Sequence, residues 1–254
     1  MISELYITGA GVSADSGIPT FRGKDGFWTI GSKNYTPQEM ATRYMYENNP
    51  EEFLVWYYKR FAKYRNVLPN NVHKWLVNKT LITQNIDGLD GKAGNTEYIP
   101  IHGRLDKVTV YHEQGLTVDL FDAPWSLIAS ECPDEKDKTK LSKVLLDYFK
   151  IPISTKKPEK MKSLKPFVLL FDEFYTNMYR MNEAEIWMQK AKKIIFLGTS
   201  FSVNITSIAL NYGLSNNSSL EIVDPNPINL ELENVSYFKM TAEEYINTYN
   251  SQKN

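Results

Sequence analysis

Short apolar runs that close on small or polar residues recur along the chain. They read LYITGAG, TLITQN, KPFVLLFDE, KIIFLGTS and LEIVDPN. Brief continuous runs bounded by turn residues, with helical stretches between them, are the pattern of strands buried on both faces of a parallel sheet. The pattern predicts an α/β fold, whose ligands bind outside the carboxyl ends of the strands. Helix starts are marked by capping boxes: Thr36 with Pro37 and Glu39, Asn182 with Glu185 ahead of EIWMQKAKK, and Thr241 with Glu244. Residues 50–64, PEEFLVWYYKRFAKY, carry aromatic side chains at helical spacing, the signature of a core-facing helix.

Two stretches break the strand rhythm. Residues 31–76 read mainly as helices, and residues 103–164 mix short polar pieces with the run PDEKDKTK, a solvated surface. Residues 1–30, 77–102 and 165–254 are therefore expected to form the sheet domain. The two interrupting stretches are expected to form a smaller inserted module beside it, with a cleft between the two.

Composition removes several function classes. The 254 residues are 42% hydrophobic and 23% charged, enough for a proper core in one large domain or two smaller ones. A net charge of -1, from 29 basic and 30 acidic residues, gives no overall field for nucleic acid or anionic membrane, so neither is an expected partner. Cys132 is the sole cysteine, which excludes an intrachain disulfide framework or a multi-cysteine metal site. No apolar run approaches the roughly 18 residues of a membrane span, and Met1 runs almost directly into the first predicted strand, leaving no room for a signal peptide. The expected compartment is cytoplasmic. Nothing in the sequence fixes the oligomeric state.

Two motifs carry chemistry. In GAGVSADSG, Gly9, Gly11 and Ala14 match the G-x-G-x-x-G/A pattern, in which small residues let backbone N–H groups approach a pyrophosphate at a helix start. No acidic residue follows about 20 positions on at the end of a second strand, so a standard dehydrogenase is not expected. TQNIDGLD, at 83–90, places Gln84, Asn85 and Asp87 in a turn beyond a predicted strand. A polar turn accounts for such residues by itself.

The longer stretch GAGVSADSGIPTFRG, residues 9–23, resembles the opening motif of the sirtuins, the NAD-dependent lysine deacylases. PNNVHKWL, TQNIDGLD, IHG at 101–103, KPFVLLFDE, GTSFSV and EIVDPN then follow in that family's order, over nearly the whole chain. The resemblance implies a Rossmann-like parallel sheet with helices on both faces, a smaller inserted module, and NAD as cofactor. It implies NAD contacts from Gly9, Ala10, Gly11, Ser13 and Thr20, with Phe21 shielding the reactive carbon and Arg22 near the phosphates. Gln84 and Asn85 would lie on the nicotinamide ribose, with Ile86 and Asp87 at the carboxamide. Gly198, Thr199, Ser200 and Val203 would lie toward the phosphates and adenosine, and Asp224 at the adenosine ribose, where the family commonly has asparagine. His102 matches the general base, a role that suits an imidazole; Asn85 and Asp87 complete the catalytic set. Val168, Phe171, Asp172 and Glu173 would border an acylated protein or peptide substrate. His73 reads as a packing or hydrogen-bonding residue of its helix, and His112 has no motif around it.

The chain departs from the family at three places. Cys132 alone replaces two cysteine pairs, so no zinc is expected, and packing or mobility must serve in the insertion. Thr20 stands where Asp is usual. FDE at 171–173 stands where the family has FGE, and Asp172 is expected to obstruct a peptide added as a strand, by its bulk and its charge. The leading reading is deacylation of lysine with transfer of the acyl group to ADP-ribose. The alternatives are an NAD hydrolase or protein ADP-ribosyltransferase, and a non-catalytic module sensing NAD or ADP-ribose.

Overall fold

The structure is a computed structural model and describes residues 2–20 and 35–253. Among these residues the strands are β1 Leu5–Thr8, β2 Thr80–Thr83, β3 Ile99–Pro100, β4 Gly103–Val110, β5 Leu120–Asp122, β6 Leu164–Val168, β7 Lys193–Leu197, β8 Ser219–Val223 and β9 Val235–Phe238. The helices are α1 Pro37–Met40, α2 Arg43–Asn48, α3 Pro50–Arg60, α4 Asn71–Trp75, α5 Leu89–Lys92, α6 Trp125–Glu131, α7 Lys138–Tyr148, α8 Met181–Lys190, α9 Asn204–Ser215 and α10 Ala242–Lys253. A 3-10 helix at Ala10–Ser16 comes after β1. The chain divides into two compact units, residues 1–20, 67–102 and 179–254 in the first and residues 21–66 and 103–178 in the second.

The first unit holds a six-stranded sheet in the order β3-β2-β1-β7-β8-β9, with every pairing parallel. All four residues of β1 are buried, as are Ile194–Leu197 of β7, which is why these strands read as unbroken apolar runs. The helices dock by helical spacing. Ala242, Tyr245 and Ile246 of α10, with Val72 and Leu76 at the other helix face, join Tyr6, Leu81, Ile195, Leu197 and Val223 in one core cluster. Side chains buried to this degree contribute about 1.5–3 kcal/mol each. Docking of α4 therefore places residues 67–76 with the sheet rather than with the insertion.

In the second unit the sheet is three-stranded and antiparallel, in the order β5-β4-β6. KPFV thus departs from the sequence expectation: β6 pairs with β4 and does not belong to the parallel sheet. An apolar run records that a strand is buried, not which strand it pairs with. Around this sheet α3 packs on α7, with Phe53, Leu54, Trp56, Tyr57 and Tyr58 buried together with Leu141, Leu145 and Phe149. The aromatic helix is a core helix.

A buried ionic cluster ties three segments of this unit. Lys165 Nζ meets Glu173 Oε2 at 3.2 Å and donates to Val168 O at 2.9 Å, and Arg43 Nη1 meets Glu173 Oε1 at 3.1 Å. Burial pushes the Lys165 ammonium below its ordinary range, while the Glu173 charge opposes that shift. Among the described residues no group of three or more His, Cys, Asp or Glu could hold a metal ion, and no helix is long and apolar enough to cross a membrane.

Two of the three expected caps form. Thr36 and Glu39 exchange bonds at α1, and Thr241 and Glu244 do so at the start of α10. Asn182 does not cap: α8 begins one residue earlier, behind Arg180 in the left-handed conformation (φ 57°).

Candidate active site

The cradle lies where the parallel strands of the first unit end. Gly9, Gln84, Ile101 and Gly198 each come directly after the last residue of a strand, at β1, β2, β3 and β7. Their neighbours are joined by hydrogen bonds. Asn85, only 7% exposed, donates through Nδ2 to Gly9 O (3.0 Å) and to Ser13 Oγ (3.2 Å). Both amide hydrogens are thereby used, and Oδ1 is left as the acceptor of the side chain. Ser13 Oγ in turn donates to Asp87 Oδ2 at 2.7 Å, while Asp87 Oδ1 accepts from the Leu89 amide at 2.9 Å. On the other side Gln84 Nε2 donates to Thr199 Oγ1 at 3.1 Å.

His102 is the last residue of the unit's second segment. Its Nδ1 lies 3.0 Å from Gln84 O, and since a carbonyl only accepts, the proton sits on Nδ1 and Nε2 is the basic nitrogen. Burial lowers the imidazole to about 4, opposed by the Gln84 carbonyl. Neutral at ordinary pH, it can take a proton.

The glycine amides are bonded within the protein. Gly9 N donates to Leu197 O at 3.0 Å and Gly11 N to Gly198 O at 2.9 Å, so neither amide is directed at a ligand. A Cβ on Gly9 would stand 2.7 Å from Gly198 O, and one on Gly11 would stand 2.8 Å from Gly198 Cα. These residues are small because the backbone after β7 crosses directly over them. Beyond Gly9 the chain winds into a 3-10 helix, Ala10–Ser16, rather than an α-helix.

The remaining candidates separate. Ser13 and Asn85 are buried, whereas Ala10, Ile86 and Asp87 are partly exposed. Thr199 is buried, Ser200 is exposed with its hydroxyl 2.8 Å from that of Ser202, and Val203 caps α9 through its backbone. Asp224 comes directly after β8 and accepts from the Asn226 amide at 2.8 Å. Thr20 ends the first described segment; Phe21 and Arg22 lie outside the described residues.

In the second unit Val168 is buried in β6 and Phe171 is 52% exposed. The obstruction expected from Asp172 is not what its side chain does. Oδ1 accepts from Arg43 N at 2.6 Å and Oδ2 from Tyr44 N at 3.0 Å, so the carboxylate caps the first turn of α2. Phe171 N also donates to Ala41 O at 3.0 Å, tying the FDE loop to the same segment. Glu173 joins Lys165 and Arg43 in the ionic cluster, its side chain 4% exposed.

Sequence reasoning gave no site role to His73 or Asp90. His73 is fully buried, with Nδ1 2.8 Å from Asn70 Oδ1 and Nε2 3.5 Å from Ser13 Oγ, and burial lowers it to about 4. The spacing of Asn70 and His73, a capping pair, was the available signal. Asp90 is 2% exposed behind the Asn85–Asp87 turn, and its position three residues after Asp87 was the only hint.

An all-parallel sheet with a polar cradle at its carboxyl ends defines a nucleotide-binding protein of Rossmann-like architecture. The Sir2 family model matches residues 9–205. NAD-dependent protein deacylase 1 of Caldanaerobacter subterraneus subsp. tengcongensis is 30% identical over 250 residues, covering 95% of this chain and 90% of that protein. NAD-dependent protein deacylase 1 of Archaeoglobus fulgidus is 45% identical over 108 residues, 40% of this chain and 42% of that protein. A solved Sir2 homolog–NAD complex superposes with a TM-score of 0.71 at 29% identity, covering 97% of this chain and 87% of that one. The chain belongs to the Sir2 family.

Proposed function

We propose that the chain is an NAD-dependent protein-lysine deacylase whose first unit holds NAD in the cradle of Ser13, Gln84, Asn85, Asp87 and His102. The observation that carries the reading is the bonded array Gly9–Asn85–Ser13–Asp87 at the strand ends, in a member of the Sir2 family. The residues present suit NAD, because Asn85 keeps an acceptor oxygen and Asp87 a carboxylate in one partly buried turn. When bound, NAD supplies a ribose carbon made reactive by nicotinamide as leaving group, and so a site for the acyl oxygen.

The chain's own groups then divide the work. Asn85 Oδ1, fixed because both its amide hydrogens are committed, faces positive charge as it develops on the sugar. Asp87, oriented by Ser13 and by the Leu89 amide, receives a carboxamide N–H. His102 Nε2 would take a proton from a hydroxyl of the bound ribose, while the Gln84 carbonyl holds the ring in the required tautomer. From the second unit, Phe171–Glu173 offers backbone to an acylated peptide as an added strand, and Asp172 stiffens that loop. We propose further that the insertion stands on its aromatic core and the Lys165–Glu173–Arg43 cluster, without zinc.

Mass analysis of the products formed from NAD, with and without acyl-lysine peptides, tests this. The expected products are nicotinamide, acyl-ADP-ribose and the deacylated peptide. Free ADP-ribose, or ADP-ribosyl protein, with the peptide untouched would replace the reading by hydrolysis or ADP-ribosyl transfer.

A further inference from the structure

The Asn85–Asp87 turn follows β2, and on one side of it the sheet holds only the two-residue β3. A dinucleotide with its nicotinamide end at that turn must run the other way, over the ends of β1, β7 and β8. Those ends are level, because Thr8 is in register with Leu197 and Leu197 with Val223. Directly after Val223 comes Asp224, three strand spacings from the turn, or about 14 Å. Its backbone amide donates to Phe238 O at 3.2 Å, and its Oδ1 accepts from the Asn226 amide at 2.8 Å. The residue is half-buried, and Oδ2 makes no hydrogen bond among the described residues, so it is left as an acceptor for a ligand. The surrounding segment is one-signed. No Lys, Arg or His lies between Lys193 and Lys239, whereas Glu221, Asp224, Glu231 and Glu233 do. Lys193 opens β7 at the opposite end of the sheet and is paired there with Glu221 at 2.6 Å; Lys239, directly after β9, is exposed.

We propose that Asp224 is the residue that makes this site select NAD over NADP: Oδ2 accepts from a hydroxyl of the adenosine ribose, and the same carboxylate repels a phosphate at the 2′ position. The inference rests on the functional reading above for the direction of the dinucleotide, and deepens it by naming the cofactor that the site rejects. A 2′-phosphate adds about two negative charges and needs a cation to receive it. Sites that take NAD commonly set a carboxylate at a strand end for the ribose hydroxyls, and sites that take NADP set an arginine nearby. The glycine-rich turn after β1 lacks that carboxylate on its own next strand, and β8 supplies one instead. Asp224 is also held for the task, since the Asn226 amide fixes one oxygen and so turns the other.

Calorimetric titration without peptide tests this, with NAD and NADP as the probes, on wild type, Asp224→Asn, Asp224→Ala and Glu233→Gln at low and high salt. Wild type should bind NADP about 10²-fold more weakly than NAD, the repulsion expected of like charges a few ångströms apart at a half-buried site. Asp224→Asn keeps the bond to the Asn226 amide but removes the charge, leaving Lys239 as the charge nearest in register. It should cut the ratio by about tenfold or more, chiefly through tighter NADP, with NAD weakened no more than about threefold. Asp224→Ala should in addition weaken NAD by about tenfold, for the lost bond to the ribose. Added salt should shrink the wild-type ratio and change that of Asp224→Asn less. Glu233→Gln removes one exposed charge ahead of β9 and should keep the wild-type ratio within about twofold. Equal affinities for NAD and NADP in wild type, an unchanged ratio in Asp224→Asn, or an equal drop in Glu233→Gln overturns the proposal. A wild type that shows the ratio yet deacylates no peptide supports it and refutes the deacylase reading alone; one that binds neither dinucleotide refutes both.

Discussion

Replacing Asp172 by glycine, which restores the loop sequence usual in the family, should weaken peptide handling rather than relieve it. In this chain the carboxylate holds the first two amides of α2, at 2.6 and 3.0 Å, and Thr42 Oγ1 takes the third, from Met45 N, at 3.1 Å. Glycine removes two of these three bonds. Loss of a helix cap costs about 1–2 kcal/mol, and the added chain entropy of glycine takes the same direction. At about 2–4 °C per kcal/mol for a protein of this size, the melting temperature should fall by about 2–8 °C. The same carboxylate orders the loop, so losing it should raise KM for acyl-lysine peptides by about three- to tenfold, at 1.4 kcal/mol per decade. Nicotinamide release without peptide should stay within about twofold, because no residue of that cradle is touched. Asp172→Asn, with one acceptor oxygen, should fall between. Steady-state kinetics with a single peptide, alongside thermal melts, reads all of this. A glycine variant with unchanged melting and improved kcat/KM would show that the carboxylate merely obstructs and would refute the capping argument.

Three other perturbations have defined outcomes. His102→Ala should lower acyl transfer by roughly 10²- to 10⁴-fold while NAD still raises the melting temperature, and full activity in a folded variant would remove the imidazole from the mechanism. Because buried His73 sits at about 4 instead of 6.5, its stability contribution is complete above about pH 6.5 and is lost as pH falls toward 4, by about 3 kcal/mol; His73→Asn should therefore fall less steeply across that window than wild type, the remaining slope including that of His102, which burial lowers to the same range, and identical slopes would contradict it. Chelators should leave the melting temperature unchanged and elemental analysis should find no stoichiometric zinc; one tightly held zinc per chain would reject the proposed basis of the insertion.

The sheet was legible where burial is two-sided. LYIT, TLIT and KIIFL are buried almost throughout, as are Leu220, Ile222 and Val223 of SLEIV, and burial on both faces writes an apolar run that needs no knowledge of neighbours. KPFV carries the same signature in an antiparallel sheet, because its partner β4 lies some 55 residues earlier in the chain and pairing is a tertiary fact. Local capping chemistry was legible for Thr36 and Thr241, whose partners are three residues away. It failed at Asn182, where Arg180 had already entered the left-handed conformation and started the helix early.

The site shows the same division in sharper form. The sequence proposes Asn85, Asp87 and His102 because their types and order are written in two short motifs, and the turn that holds the first two is local. Their supports are not local. Gly9 and Gly11 are small for the sake of Gly198, nearly 190 residues on, where a Cβ would stand 2.8 Å from Val12 N at a φ of +62°. Asp172 is anchored by amides about 130 residues before it. The sequence shows a glycine pattern and an aspartate but not their protein partners, the backbone after β7 for the first and the α2 amides for the second. The consequence can be tested at Gly198: alanine there keeps every other motif residue intact, yet must move the Gly11–Val12 backbone or leave its own strand end. Such a variant should melt well below wild type and lose NAD binding along with stability. If Gly198→Ala melts with wild type and only NAD affinity falls, the glycine serves the ligand after all, and the close crossing of the two backbones is incidental.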